Sequence, residues 1–228
     1  VYERNIGTPS RSNQYVYDPY NRLTRFKEGI LSSGNIPSPT NDILYSYDGV
    51  HNRSSLTVNG TSTTYTPNNL NQYTMLSGGT TASLSYDNNG NLTADGGRAY
   101  TYDFENRLSE IDAGTTAQYF YDALGRRILK VAGSDSTHFY YAETKVIEER
   151  GNNGVLEATY VYGMGDNEVV NMRRNGASHY YYYNALGSVT HLADADGLLA
   201  EQYEYDAYGN ITIFDGAGIQ IGASLLGN

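Results

Sequence analysis

The sequence predicts an all-β protein, built as a continuous antiparallel meander of β-hairpins. Three observations predict it. A seven-residue word recurs along the chain: Tyr-Asp, two free positions, Gly or Asn, a polar residue, then an apolar one. Tyrosines recur two residues apart just before that word, as side chains on one face of a strand do. No window carries the 3.6-residue apolar period of a helix. A repeat of this kind decides the architecture before any single residue does.

The clearest copies begin at Tyr121-Asp122, Tyr86-Asp87 and Tyr205-Asp206, with Gly125, Gly90 and Gly209 at the fifth position. Tyr17-Asp18 and Tyr102-Asp103 carry Asn21 and Asn106 there instead. Worn copies begin at Tyr47-Asp48, with His51 at that position, and at Tyr183-Asn184, with Gly187. A disguised copy has Pro67, Asn68 and Asn71 at the Tyr, Asp and Gly positions. Spacing of roughly 20 residues is what two strands of about six residues and two turns require.

Each position has a physical reason. A carboxylate at the first turn position accepts a backbone N–H two residues on. The next two positions tolerate many side chains, and Pro19 sits where φ near −65° is wanted. The fifth position needs positive φ, which Gly meets freely and Asn tolerates. This is a type I turn closing with a bulge. The expected turn residues are Asp18, Asn21, Asp48, Asp87, Gly90, Asp103, Asn106, Asp122, Gly125, Gly187, Asp206 and Gly209. Upstream, Tyr15, Tyr17, Tyr45, Tyr47, Tyr86, Tyr100, Tyr102, Tyr119, Tyr121, Tyr181, Tyr183, Tyr203 and Tyr205 are expected to form cross-strand ladders. The pair Tyr160/Tyr162 has the same spacing.

In chain order, residues 1–14 read as an irregular segment leading in from an upstream repeat. Residues 15–214 form the repeat region. Residues 215–228 are a Gly-rich end. Lys27 to Asp42, with Pro37 and Pro39, reads as a loop insertion. Asn59-Gly60 is a strong hairpin turn. From 128 to 181 the Tyr-Asp word fades, but hairpins continue around Gly133-Ser134-Asp135, Asn152-Asn153-Gly154 and Asn175-Gly176. Such a sheet must curl, because strands twist and flat edges associate.

Composition narrows the function. The chain has 228 residues, a net charge of −10, 24 Tyr, 25 Gly and no Cys or Trp. An acidic surface repels phosphate backbones, so no nucleic-acid partner is expected. No segment approaches the roughly 20 apolar residues of a membrane span. Without Cys there are no disulfides or thiolate metal sites. The chain starts Val1-Tyr2-Glu3 and looks cut from something longer. With neither end carrying a capping signal, marginal stability or association is expected.

No catalytic, cofactor or metal site is expected. Asp194-Ala195-Asp196-Gly197 has the look of a calcium loop, but Tyr205 stands where an EF-hand needs Glu, so a hairpin turn is the better reading. His51, His138, His179 and His191 are scattered. Glu148-Glu149 and Asp166-Asn167-Glu168 are the candidate carboxylate pairs for glycoside hydrolysis, weighed against ordinary solvated acids. Asn52, Asn59, Asn91 and Asn210 open glycosylation sequons, three of which the repeat itself generates.

From Tyr15 to about Asp215 these words resemble the YD-repeat or RHS family, which includes bacterial polymorphic toxins, the BC component of insecticidal toxin complexes, wall-associated proteins and, more distantly, teneurins. Tyr181-Tyr182-Tyr183-Asn184-Ala185-Leu186-Gly187-Ser188-Val189 resembles a family element in which an Asp-His pair stands where Asn184-Ala185 stands here. Tyr203 to Asn210 resembles the family's last repeats before its core terminus. The resemblance implies a β-spiral wall, or a segment of a hollow shell, that encloses a C-terminal polypeptide. Its implied partners are the rest of the shell and a C-terminal toxin or effector cargo, and its implied setting is secreted or at the bacterial cell surface. Self-association through strand edges, or binding of cell-surface glycans by Tyr-rich faces, would fit an adhesin or filament instead.

Overall fold

A computed structural model describes the chain except Arg4, Ile6, Gly7, Asp166 and Asn228. It is almost wholly β, with two short 3-10 turns at Pro9–Arg11 and Asn152–Gly154. Among the described residues no helix is long and apolar enough to cross a membrane. The chain divides into two compact units, Val1–Tyr100 and Thr101–Asn228.

The first unit holds an eight-stranded sheet: β1 (Tyr2–Glu3), β2 (Ser12–Tyr17), β3 (Leu23–Gly29), β4 (Asn41–Tyr47), β5 (Arg53–Val58), β6 (Thr61–Pro67), β7 (Tyr73–Gly78) and β8 (Ala82–Ser83). A separate two-stranded sheet pairs β9 (Ser85–Tyr86) with β10 (Leu92–Ala94). A 13-stranded sheet begins at the boundary with β11 (Tyr100–Tyr102). It continues through β12 (Leu108–Ile111), β13 (Ala117–Tyr121), β14 (Arg127–Ala132), β15 (Asp135–Ala142), β16 (Lys145–Arg150) and β17 (Leu156–Tyr162). It ends with β18 (Val169–Arg174), β19 (Ala177–Tyr183), β20 (Val189–Ala193), β21 (Leu199–Tyr205), β22 (Ile211–Asp215) and β23 (Gln220–Ile221). In every sheet neighbours in space are neighbours in sequence.

The meander is therefore laid down in three sheets. The eight-stranded sheet ends at β8, and the interruption falls between Ser83 and Ser85; before it, Gly78 at positive φ lies against the Ser62 carbonyl, which accepts the Gly79 N–H at 2.8 Å. Further on, Asp95 closes a tight turn by accepting the N–H groups of Gly97 (2.9 Å) and Arg98 (2.8 Å).

Both chain ends are more ordered than expected. Residues 1–14 are not wholly irregular, because Tyr2–Glu3 pairs with Asn13–Gln14 and β2 already starts at Ser12. At the other end Asp215 accepts the N–H groups of Ala217 and Ile219, both at 2.9 Å, and so closes one more turn before β23. Residues 27–29 and 41–42, expected in the loop insertion, belong to β3 and β4, leaving residues 30–40 as the loop. That loop folds back so that Ile36 is fully buried against Gly29. Gln14 Oε1 accepts the Ile36 N–H (3.3 Å), and Lys27 Nζ donates to the Ile36 carbonyl (3.1 Å).

The core is thin. In the first unit it comprises Leu23, Phe26, Ile36, Ile43 and Tyr45. In the second it comprises Ala117, Ala158, Met172, Leu192, Ala193, Tyr203 and Phe214. Phe26 is the largest fully buried side chain and packs on Tyr15 at 5.4 Å between ring centroids. Phe26→Ala is expected to destabilise the first unit by about 3–5 kcal/mol, measured as a lower urea midpoint. Asn106 sits at φ 61°; Asn106→Val is expected to cost about 1–2 kcal/mol, while Asn106→Gly leaves the midpoint nearly unchanged.

Candidate functional site: a spine of coupled turns

The residues that do the most chemistry in this protein lie along the turns. At Asp122 one carboxylate oxygen accepts the N–H groups of Leu124 and Arg126, both at 2.9 Å. The other accepts the Arg126 Nε–H at 2.7 Å. The turn closes with the Gly125 N–H donating to the Asp122 carbonyl at 3.0 Å. Asp18 and Asp103 hold Arg22 and Arg107 in the same way. Asp48 and Asp87 do it with Asn52 and Asn91. Asn68, Asn184, Asp194 and Asp206 make the same pair of backbone contacts. Asp194-Ala195-Asp196-Gly197 is thus one more hairpin turn.

The fifth position is left-handed throughout, with Asn21 at φ 59°, His51 at 72°, Asn71 at 60° and Gly125 at 77°. A bulge shifts the strand register beside Tyr17, Tyr47, Tyr121 and Tyr183.

The tyrosines of the repeat do more than stack. The Tyr47 hydroxyl donates to the Leu23 carbonyl at 2.7 Å. Tyr121 reaches the Leu108 carbonyl (2.8 Å), Tyr183 that of Val169 (2.8 Å) and Tyr205 that of Val189 (2.8 Å). Each acceptor is the first residue of the preceding return strand, and Leu23, Val169 and Val189 lie at bulges where the regular ladder is broken. Tyr86 bonds the Tyr73 carbonyl at 3.0 Å. Other members of the expected ladder are used differently. Tyr100 donates to the Asp95 carboxylate at 2.6 Å and Tyr203 to Glu201. Tyr45 is buried, Tyr181 stacks on Tyr183 at 6.3 Å, and Tyr119 lies under Arg127 at 5.6 Å. Tyr17 is 48% exposed.

The arginine after each turn couples one repeat to the next. Arg22, paired to Asp18, lies over the Tyr47 ring at 4.7 Å and meets His51 Nδ1 at 2.9 Å. Arg107 covers Tyr121 at 4.8 Å and donates to the Asp122 carbonyl at 3.5 Å. Arg126 covers Tyr141 at 4.9 Å and donates to the Glu143 carbonyl. Asn52 does the same job without a charge, donating both to Asp48 and to Asn71 at 3.0 Å. Each contact is modest, about 0.5–1 kcal/mol for a cation over an exposed ring and about 0–1 for an exposed ion pair.

Sequence reasoning missed two members of this spine. Tyr141 donates to the Arg127 carbonyl at 2.8 Å, with Glu143 taking the left-handed position at φ 55°. Asp215 closes a turn in what reads as a featureless Gly-rich end; its signal was the Asp215-Gly216-Ala217-Gly218 spacing. Tyr162, paired with Tyr160 in the sequence reading, reaches the Val146 carbonyl at 2.7 Å.

The carboxylate pairs considered for hydrolysis do not converge. Glu148 pairs with Arg150, whereas Glu149, the next residue along β16, pairs with Arg174 at 2.6 Å. Asp166 lies outside the described residues. Among the described residues no group of three or more His, Cys, Asp or Glu gathers as a metal site. His51 is at a turn, His138, His179 and His191 are on β15, β19 and β20, and only His179 is buried.

The carboxylates of Asp18, Asp48, Asp87, Asp103 and Asp122 titrate below the usual carboxylate range. At Asp122 the Arg126 N–H leads, against a burial cost, with the Arg126 side chain adding to it. At Asp87 the Asn91 amide leads. A depressed folded pKa means stability that is present above the unfolded value, about 3.9, and lost as pH falls through the folded value. The urea midpoint is therefore expected to fall progressively below about pH 4, and Asp122→Asn is expected to flatten that fall. Tyr121→Phe, which removes only the hydroxyl, is expected to cost about 0.5–1.5 kcal/mol by urea unfolding. Tyr17→Phe is the contrasting variant and is expected to be nearly neutral.

This arrangement has relatives. The family described as Teneurin YD-shell matches residues 2–222. The chain is 34% identical over 180 residues to the tRNA3(Ser)-specific nuclease WapA of Bacillus spizizenii, aligning 75% of itself with 8% of that protein. It is 33% identical, with the same coverage, to the tRNA nuclease WapA of Bacillus subtilis. The chain therefore spans less than a tenth of the length of these relatives. Among solved structures, the crystal structure of TcdB2-TccC3-TEV aligns with 92% of this chain and 15% of its own, at 18% identity and a TM-score of 0.39. With the family matched from end to end of the three sheets, the chain belongs to the Teneurin YD-shell family, a YD-repeat wall segment.

Proposed function

We propose that this wall segment helps to enclose or scaffold a C-terminal toxin or effector, and that its own contribution is mechanical rather than catalytic. The observation that carries this reading is the turn spine. The recurring Asp, Arg and Tyr residues of the repeat are consumed in holding one hairpin to the next, through bonds whose partners are backbone, tyrosine rings and the following turn. In this reading the nuclease activity named for the two relatives lies outside the wall, because the chain aligns with only 8% of each. The partners are the rest of the same shell and its enclosed cargo, in a secreted or cell-surface bacterial protein.

Limited proteolysis of the intact protein tests the proposal. Polypeptide C-terminal to residue 228 is expected to survive at least tenfold longer than the same polypeptide expressed free. Equal rates, or a reading frame that stops near residue 228 with nothing to enclose, would overturn it.

One observation favours a second reading, an adhesin or filament module. Phe120, Tyr140, Tyr180 and Tyr182 are 46%, 49%, 42% and 54% exposed. Low-micromolar binding on a glycan array, lost in Tyr180→Ala with Tyr182→Ala, would support this reading. Concentration-dependent growth of oligomers through β1 or β23 would point to the filament.

A further inference from the structure

We infer that Glu201 is a main-chain clamp that folds residues 224–227 back onto β21, and that this clamp holds β22 and β23 in one closed loop. The strand before the segment is short: β23 has two residues and pairs with β22 through Ile221 to Ile213 and Gln220 to Phe214. So short a strand frays unless something else holds it.

Glu201 sits two strands further in, on β21, and is 1% exposed. One of its oxygens accepts the Leu225 N–H at 2.6 Å and the Leu226 N–H at 3.2 Å. The other accepts the Ser224 hydroxyl at 2.8 Å and the hydroxyl of Tyr203. Ser224 Oγ in turn accepts the Leu226 N–H at 3.1 Å. All of these donors are neutral. A carboxylate this deep is costly unless its lone pairs are filled, so four donors converging on it mark a built site. Three of the four come from the folded-back segment.

The segment is held by its backbone rather than by apolar burial, since the Leu225 side chain is 74% exposed while its N–H makes the shortest backbone contact to Glu201. A second anchor lies beyond it. Gly227 passes so close to Arg174 that a Cβ there would stand 3.2 Å from the guanidinium carbon. Arg174 is fixed from behind by Glu149 at 2.6 Å and by the Tyr160 hydroxyl at 3.3 Å. The bonds to Glu201 close the chain from residue 201 to residue 226, with β22 and β23 inside that loop, and Gly227 then reaches Arg174 on β18. The clamp stands on this geometry alone and does not depend on what the wall encloses.

Hydrogen exchange on the intact protein reads the clamp directly. In Glu201→Ala the amides of Leu225 and Leu226 are expected to exchange at least tenfold faster, those of Ile213 and Gln220 to follow, and those of β13 and β14 to stay unchanged. Unchanged exchange at Leu225 and Leu226 in a folded Glu201→Ala protein would overturn the clamp. Should that variant fail to fold, Leu226→Pro decides, because it removes one donor outside the sheet. Faster exchange at Leu225 and new proteolytic cleavage between residues 222 and 227 support the clamp, and wild-type behaviour of both refutes it.

Discussion

One carboxylate accepting two backbone N–H groups is the constraint on which the structure depends. In the turn at Asp122 it fixes the chain reversal, which puts Gly125, three positions on, into left-handed space, and it presents its second oxygen to the side chain at the turn's end. Everything else in the repeat hangs from that geometry. The bulge follows from the left-handed residue. The arginine is held in place by the same carboxylate, and only so held does it reach the tyrosine of the following repeat.

This explains how a protein with a thin core keeps its shape. Hydrophobic burial is spread over isolated residues such as Phe26, Met172 and Leu192 rather than gathered in one centre. The deficit is met along the turn edge, where small polar and cation–ring contacts recur in series. The tyrosine suits this role because its ring lies on a half-buried face and its hydroxyl ends at a carbonyl that the bulge has taken out of the ladder. The deeply buried Glu201 is satisfied by several donors, and the half-buried Glu149 by an opposite charge.

How much of this was legible depended on the range of each interaction. The turns were readable because positive φ admits few residues, so Gly125, Asn106 and even His51 betray the conformation locally. The tyrosine hydroxyl bonds were not, because a tyrosine that stacks and one that donates look alike in sequence; Tyr141 and Tyr121 reach carbonyls 14 and 13 residues away. The separation into three sheets was hidden too, because the break between Ser83 and Ser85 falls inside a stretch that reads as one more repeat. Glu201 read as an ordinary acid among 25, since three of its four donors lie 23 to 25 residues downstream.

The reach of the turn arginines has an evolutionary consequence. Arg107 touches its own turn and the next one, and nothing described couples it to more distant repeats. A duplicated hairpin would therefore arrive with both of its joints already made, and a deleted one would leave matching joints behind. Length in such a wall is a copy number, open to change by unequal recombination without redesign of any core. The same logic explains how the excursion of residues 30–40 is accommodated. It departs from the strand ends opposite the spine, where no joint has to be remade.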